Sequence, residues 1–165
     1  MPAPILVAYA TRYGSTAETA QFIAAALESR GLSALCQPAR EVKSLQGLRA
    51  VVLGAPLFMF HWHKDALRFL DRFRKELSAL PAAAFALGPT TEPRAEKEWT
   101  DARAILDKEL ANRAWFASTS VALFGGRWDP GKIGFPFKAF ASQMPASDLR
   151  DWDAIRTWAQ TLFLD

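Results

Sequence analysis

Short apolar runs alternate with segments of helical period along almost the whole chain. A run in which nearly every residue is apolar is typical of a strand that is buried on both faces of a parallel sheet. The runs predict five strands, at residues 5–9, 32–36, 50–53, 82–87 and 118–124. Strands and helices that alternate in this way predict an α/β fold with a parallel sheet and helices on both of its faces.

The segments between the runs predict the helices. Apolar residues at spacings of three and four predict helices at residues 16–30, 64–79 and 95–112. Gly31 and Pro81 follow the first two as stop signals. A last helix is expected to begin at Asp148 or Asp151, because aspartate is a favoured N-cap residue.

Five alternating strands predict a doubly wound sheet in the order 2-1-3-4-5, and residues 1–165 are expected to form a single domain. In that order the sheet reverses direction between the first and third strands, and ligands bind beside the carboxyl ends of the strands at this point. The loops that follow the first and third strands, residues 10–16 and 54–63, are therefore the first candidates for a binding site. The loops at 88–92 and 125–128 open on the same edge.

Composition excludes several classes of protein. Of the 165 residues, 50% are hydrophobic, which excludes a disordered chain. No apolar run approaches the roughly 20 residues that span a bilayer, and the N-terminal residues lack the basic lead-in of a signal peptide, so we expect a cytoplasmic protein. The net charge of +3 comes from scattered basic residues and mildly favours anionic partners, but no nucleic-acid partner is expected.

The first loop has the residues of a phosphate site. Thr11, Ser15 and Thr16 supply hydroxyl groups, and Gly14 lets a ligand approach the backbone. The start of the following helix offers free N–H groups to an anion. The alternative is an ordinary capped turn in which Ser15 or Thr16 is the N-cap.

The second loop is unusually apolar. Phe58, Met59, Phe60 and Trp62 lie close together in a connection that would normally be polar. A flat aromatic ligand would explain why apolar surface is kept at this point. The alternative is that these side chains cap the core or form a subunit contact.

Few residues suggest acid–base, nucleophilic or metal chemistry. His61 and His63 have the spacing of two metal ligands on a strand but lack a third, so no metal is predicted. Either histidine is a hypothetical proton shuttle, because the ordinary pKa of histidine suits neutral pH. Cys36 is interpreted as a small core residue, and no catalytic acid, base or nucleophile is assigned.

Residues 125–145 are the least regular part of the sequence. Phe135, Phe137 and Phe140 alternate with Lys132 and Lys138. A basic, aromatic surface from Arg127 to Phe140 would suit a quinone, an apolar substrate or an anionic membrane. The alternative is that the rings fold back and fill the core. Trp115 and Phe116, just before the predicted edge strand, form either a homodimer contact or a cover for that edge.

Three stretches carry a resemblance to a known family. They are the loop at residues 10–16, the segment 51–56 that leads into Trp62 and His63, and the closing pair Met144-Pro145 with residues 151–155. With them the chain resembles the flavodoxin superfamily, and within it the flavodoxin-domain branch that includes menaquinone-dependent protoporphyrinogen oxidase. The resemblance covers nearly the whole chain.

The resemblance implies one non-covalently bound FMN. The residues implied for its phosphate are Thr11, Arg12, Tyr13, Gly14, Ser15 and Thr16. Those implied for its isoalloxazine ring are Pro56, Leu57, Phe58, Met59, Phe60 and Trp62 on one side and Gly88, Pro89, Thr90 and Thr91 on the other, with Gly125, Gly126 and Arg127 at the rim.

The resemblance leads to three alternative functions. The first is an FMN-binding redox protein, in effect an oxidoreductase, that transfers electrons between a reductant and a small-molecule or quinone acceptor. The second is oxidation of protoporphyrinogen with a quinone, at a membrane surface. The third is an interaction module that has lost its flavin. Flavodoxin electron carriers are usually strongly acidic, so the basic charge of this chain argues against a basic redox partner.

Overall fold

The computed structural model describes residues 2–164. Within them the strands are β1 (Ile5–Tyr9), β2 (Ala34–Pro38), β3 (Ala50–Phe58), β4 (His61–Trp62), β5 (Ala82–Leu87), β6 (Ser120–Phe124), β7 (Arg127–Trp128) and β8 (Ser147–Asp148). Five of them form a parallel sheet in the order β2-β1-β3-β5-β6. The predicted doubly wound order is confirmed, with the reversal between β1 and β3.

Helices cover both faces of this sheet. They are α1 (Ser15–Glu28), α2 (Lys64–Arg72), α3 (Arg74–Leu77), α4 (Glu96–Ala111), α5 (Lys138–Ala141) and α6 (Trp152–Thr161). Side chains of α1 and α6, among them Ile23 and Ile155, pack on one face. Side chains of α2, α3 and α4, among them Phe69, Leu77 and Leu106, pack on the other. Strands β1 and β5 are therefore buried on both sides, as their sequences predict.

The boundaries differ from the sequence predictions at several points. Strands β2 and β6 begin two residues later than expected, at Ala34 and Ser120. The single helix expected at 64–79 is two helices, since the backbone leaves helical geometry at Phe73, where φ is −106° and ψ is 24°. The ring of Phe73 packs edge-on against Phe69 at 4.9 Å between centroids, which places it in the core.

Strand β3 is the largest departure, because it continues through Gly54 and Pro56 to Phe58. Gly54 is compatible with the sheet because the ring of Phe85 on β5 occupies the space of a side chain there: a Cβ on Gly54 would lie 1.9 Å from Phe85 Cζ. Pro56 is tolerated because β1 ends opposite Gly54, and its carbonyl still accepts a hydrogen bond from His63 N at 3.1 Å.

The predicted loop 54–63 is consequently a β-hairpin. Strand β4 pairs antiparallel with the end of β3, with Phe58 opposite His61. Met59 and Phe60 form the turn, with φ of 52° and 66°. Positive φ at both central residues is what a two-residue hairpin requires, although bulky apolar residues rarely adopt it.

The structure also shows how far the aromatic side chains at residues 115–116 and 135–140 are buried. Phe116 lies in the core and Trp115 packs against it. The rings at 135, 137 and 140 do not fill the core: Phe135 is 97% exposed, and Phe137 and Phe140 are also exposed. Among the described residues no helix is long and apolar enough to cross a membrane.

Candidate functional site

The loops that follow β1, β3, β5 and β6 surround one cleft at the carboxyl edge of the sheet. The cleft has a volume of about 190 Å³. Residues of all four loops line it: Arg12, Tyr13 and Ser15; Pro56, Leu57 and Phe58; Leu87, Gly88 and Thr90; and Gly126, Arg127 and Trp128. It lies at the switch point between β1 and β3, where the fold predicts a ligand site.

The loop after β1 is shaped to present backbone N–H groups. Gly14 is the N-cap of α1, with a φ of 96°, and it replaces the predicted Ser15 or Thr16 in that role. The hydroxyl of Thr11 accepts a hydrogen bond from Gly14 N at 2.9 Å, which closes the turn. The first helical bond runs from Glu18 N to Gly14 O, so the N–H groups of the first turn have no acceptor within the helix.

Thr16 adds a donor without a partner to this first turn. Its side chain is fully buried, and its Oγ1 makes no hydrogen bond to any described residue. Thr19, one turn later, is also buried, but its hydroxyl donates to Ser15 O at 2.8 Å. A buried hydroxyl without a partner is uncommon because it costs free energy. No described residue therefore accounts for the buried hydroxyl of Thr16.

Two arginines near this turn are neutralised by carboxylates. Arg127 Nη1 lies 3.4 Å from Glu18 Oε1 and its Nη2 lies 3.4 Å from Asp129 Oδ2. Arg150 is buried; it contacts Asp148 Oδ2 at 2.8 Å and donates to Ser15 O at 3.1 Å. The Arg150 guanidinium lowers the pKa of Asp148 from its ordinary value, since it donates to the ionised carboxylate. This pair fastens the β7–β8 ribbon to the start of α1.

Two other cations face the loop without such partners. The guanidinium of Arg12 lies over the Phe58 ring, and Lys132 Nζ donates to Tyr13 O at 3.2 Å. Within residues 2–164 neither forms an ion pair with a carboxylate. The start of α1 thus combines free N–H groups with positive charge, an arrangement that suits an anion.

The hairpin provides the apolar wall of the cleft. Phe58, Met59 and Phe60 are exposed, with Phe60 81% exposed. Phe58 also lines a second cavity of about 430 Å³, between the hairpin and α4, where Met59, Phe60 and Pro89 contribute further surface. The hairpin therefore separates two adjacent depressions and presents aromatic surface to both.

Trp62 and His61 anchor the hairpin to the rest of the fold, and neither of them lines the cleft. Trp62 is fully buried and donates through Nε1 to Ala55 O at 3.0 Å, so its ring does not reach the cleft surface expected for it. The reason is the antiparallel pairing of β4 with β3, which turns residue 62 into the core. His61 Nδ1 lies 3.0 Å from Oε1 of the buried Glu109 on α4.

The loops after β5 and β6 form the opposite wall. Gly126 N donates to Pro89 O at 2.8 Å, and Ser147 Oγ donates to Thr90 O, so three segments are joined here. Gly126 is required for this approach, because a Cβ there would lie 2.8 Å from Gly88 O. Gly125 packs instead against Leu149. Thr91 lies outside the cleft, in a neighbouring cavity of about 330 Å³ that also contacts Trp128 and Met144.

The surroundings of His63 and Cys36 indicate structural roles rather than reactive ones. His63 caps α2, with Nδ1 accepting from Asp65 N at 3.0 Å, and burial lowers its pKa from the ordinary 6.5. Burial also raises the pKa of the Cys36 thiol to about 11, which disfavours the reactive thiolate. Within the described chain, no group of three or more His, Cys, Asp or Glu residues is arranged to hold a metal ion.

Sequence reasoning missed three residues near the site. Lys132 and Trp128 come from the connection after β6, and Arg150 lies just before α6. The position of that connection, at the same edge of the sheet as the first loop, was a usable signal for Lys132 and Trp128. No local pattern marks Arg150, since its partners Ser15 and Glu18 lie 135 and 132 residues away.

Comparison with known proteins identifies a matching family model and similar relatives. A family model described as "Flavodoxin domain" matches residues 6–140. Protoporphyrinogen IX dehydrogenase [quinone] of Escherichia coli K12 is 25% identical over 122 residues, which are 73% of this chain and 67% of that protein.

Solved structures share the fold. The structure of oxidised flavodoxin 1 from Bacillus cereus superposes with a TM-score of 0.61 at 14% identity, covering 98% of this chain and 99% of that one. Rubredoxin oxygen:oxidoreductase from Desulfovibrio gigas has a TM-score of 0.56 at 14% identity. The match covers 97% of this chain but only 35% of that larger protein.

Proposed function

The chain belongs to the flavodoxin domain family, and from this premise we propose that it is an FMN-binding redox protein that transfers electrons between a reductant and an organic acceptor. Bound FMN supplies the electron-transfer chemistry. The protein's own part is to hold the phosphate, orient the ring and control access to it. We further propose that residues 1–165 act as a single domain in this role.

One observation carries the proposal. Four loops from the carboxyl ends of four parallel strands meet at one cleft, and the helix that begins there holds the unpaired, buried hydroxyl of Thr16. Free N–H groups and unpaired cations suit a phosphate at one end of the cleft, and exposed aromatic surface suits a flat ring at the other. This chemistry fits FMN.

These two ends of the cleft indicate which residues would hold each part of FMN. The phosphate would bind at the loop of residues 11–16. The ring would lie between the hairpin residues 56–60 and the loop 88–90, with Gly126 and Arg127 at the rim. Trp62 would support the hairpin from the core, and Thr91 and Gly125 would act through the loops that they shape.

Visible absorption of the purified protein, before and after addition of FMN, tests the proposal. We expect the bands of a bound oxidised flavin, and release of FMN on denaturation. The variant Gly126→Ala should lose binding, because its Cβ would lie 2.8 Å from Gly88 O. Gly134→Ala is the matched control, since nothing lies within 4 Å of a Cβ there.

Absence of bands, with no quenching of added FMN fluorescence, would contradict the proposal. In that case the flavin-free interaction module would be the better account of the chain. The exposed hairpin at Phe58, Met59 and Phe60 would then serve a partner protein.

A second candidate function is oxidation of protoporphyrinogen with a quinone as acceptor. Residues 132–144, named the aromatic arm from here on, support it, because Phe135, Phe137 and Phe140 are exposed beside Lys132 and Lys138. A porphyrinogen is an apolar macrocycle with anionic carboxylates, and a quinone is dissolved in the membrane. The 25% identity to the Escherichia coli dehydrogenase supports the same candidate.

Two assays test this second candidate. Protoporphyrinogen oxidation should depend on both FMN and a quinone. The protein should also sediment with anionic vesicles, and Lys138→Glu combined with Phe140→Ser should weaken sedimentation. Lys75→Glu on α3 is the control for a simple loss of positive charge. Unchanged sedimentation of the arm variant would argue against a membrane role for the aromatic arm.

A further inference from the structure

We propose that Lys132 is a phosphate ligand of the bound FMN and that this contact latches the aromatic arm onto the loaded cleft. The inference rests on the proposed function, and it concerns a residue that lies outside the loop 10–16. Its consequence is that the phosphate, rather than the ring, controls the position of the arm.

The position of Lys132 is the first argument. Its Nζ donates to Tyr13 O at 3.2 Å, across 119 residues of chain. A Cβ built on Gly14 would lie 3.7 Å from the same nitrogen. The ammonium group therefore lies directly over the N-cap of α1, where the unpaired N–H groups of the first turn begin.

The distribution of charge is the second argument. Arg127 and Arg150, the other cations that reach the first turn from the C-terminal part of the chain, each contact two carboxylates. In residues 2–164, Arg12 and Lys132 have no carboxylate within ion-pair distance. A phosphate monoester carries close to two negative charges at neutral pH. These two unpaired cations are the groups that such a dianion would neutralise.

The hydrogen-bonding capacity of lysine is the third argument. An ammonium group has three N–H donors, and the bond to Tyr13 O uses one of them. The remaining donors are available to an anion beside Gly14. A charge-assisted bond to phosphate is stronger than the bond to a neutral carbonyl, so the contact would strengthen when phosphate binds.

The turn that carries Lys132 is well defined, so its contact constrains the arm. Asp129 Oδ1 accepts from Gly131 N at 3.0 Å and caps the short turn Pro130–Lys132. Ile133, the next residue, is buried. The exposed Phe135 follows after Gly134. A firmer contact at Lys132 would therefore reduce the motion of the segment that begins at Ile133.

Comparison of FMN with riboflavin tests the proposal, because riboflavin has the same ring but no phosphate. Dissociation constants for both flavins are measured by fluorescence quenching. Lys132→Met should weaken FMN binding about tenfold and leave riboflavin binding unchanged. Lys132→Arg should retain most of the FMN affinity. Lys138→Met, a change of the same kind in the same arm, should alter neither constant.

Trypsin cleavage after Lys138 gives a second readout that does not depend on turnover. FMN should protect this bond in the wild-type protein, riboflavin should not, and Lys132→Met should lose the protection by FMN. Equal weakening of FMN and riboflavin in Lys132→Met, or no change in either, would overturn the proposal. A wild-type protein that binds neither flavin would overturn the proposed function as well, so the two failures are distinguishable.

Discussion

The guanidinium carbon of Arg12 lies 3.8 Å from the centroid of the Phe58 ring. Arg12 belongs to the loop after β1, and Phe58 ends β3 at the hairpin. The contact therefore joins the loop after β1 to the aromatic wall of the cleft. A cation over an aromatic face is attracted by the ring quadrupole, and Arg12 is thereby held at the cleft with its charge unneutralised by carboxylates among the described residues.

We expect a measurable coupling between these two residues. In a double-mutant cycle of Arg12→Met and Phe58→Leu, the coupling should be about 0.5–1 kcal/mol in the free energy of urea unfolding. The cation–π contact is the physical reason. Strictly additive effects of the two substitutions would show that the observed stacking contributes nothing to stability.

The hydrogen bond between His61 and Glu109 should anchor the hairpin to α4. His61→Ala leaves the carboxyl group of Glu109, whose side chain is only 11% exposed, without its partner. We expect this variant to lose about 1–3 kcal/mol of unfolding free energy. The double variant His61→Ala/Glu109→Leu should be more stable than His61→Ala, because no polar group is then left unpaired. Thermal and urea unfolding measure both, and a double variant less stable than the single one would contradict this account.

We expect the Thr16 hydroxyl to strengthen FMN binding while contributing nothing to the stability of the ligand-free protein. Thr16→Val removes a buried hydroxyl that has no partner, so the ligand-free protein should be as stable as the wild type or gain up to about 1 kcal/mol. The same variant should bind FMN more weakly, as measured by fluorescence quenching. Thr19→Val is the matched control: it loses the bond to Ser15 O and should therefore be destabilised. Destabilisation of both variants by the same amount would remove the reason to assign Thr16 a binding role.

His63 should make stability depend on pH. Its folded-state pKa is lowered, chiefly by burial, with smaller effects of Arg12 and Lys64 in the same direction and of Asp65 in the opposite one. Protonation of Nδ1 would also break its bond from Asp65 N. The unfolded chain, with the ordinary pKa of 6.5, then binds more protons than the folded chain as the pH falls. Stability should therefore fall as the pH drops through 6.5 toward the lower folded value.

The variant His63→Asn separates this effect from other titrations. Asparagine keeps an N-cap acceptor but does not titrate. The difference in unfolding free energy between wild type and variant should change between about pH 7.5 and about pH 5.5, in the direction that disfavours the wild type at low pH. A difference that stays constant over this range would contradict the role of His63.

The sheet was predictable because its signals are local. Runs such as Ile5–Tyr9 and Ala82–Leu87 are apolar throughout, and the strand order follows from their alternation with helices. Gly14 in the first loop was also correctly placed beside a helix N-terminus, although its role as N-cap was assigned to its neighbours. The predicted break at Gly54 and Pro56 was wrong, because the ring of Phe85 fills the space beside Gly54 and β1 ends before it would pair with Pro56.

The sequence by itself therefore determined the α/β architecture, the strand order and the edge of the sheet at which the candidate site lies. Tertiary structure alone decided that Trp62 is buried, that Thr16 Oγ1 has no partner among residues 2–164 and that Lys132 reaches the first loop. The physical reason is the range of the interactions. Strand and helix patterns repeat over a few neighbouring residues, whereas burial, hydrogen-bond partners and charge pairing depend on which segments the fold brings together. Lys132 and Arg150, for example, contact the first loop and the start of α1 across more than a hundred residues.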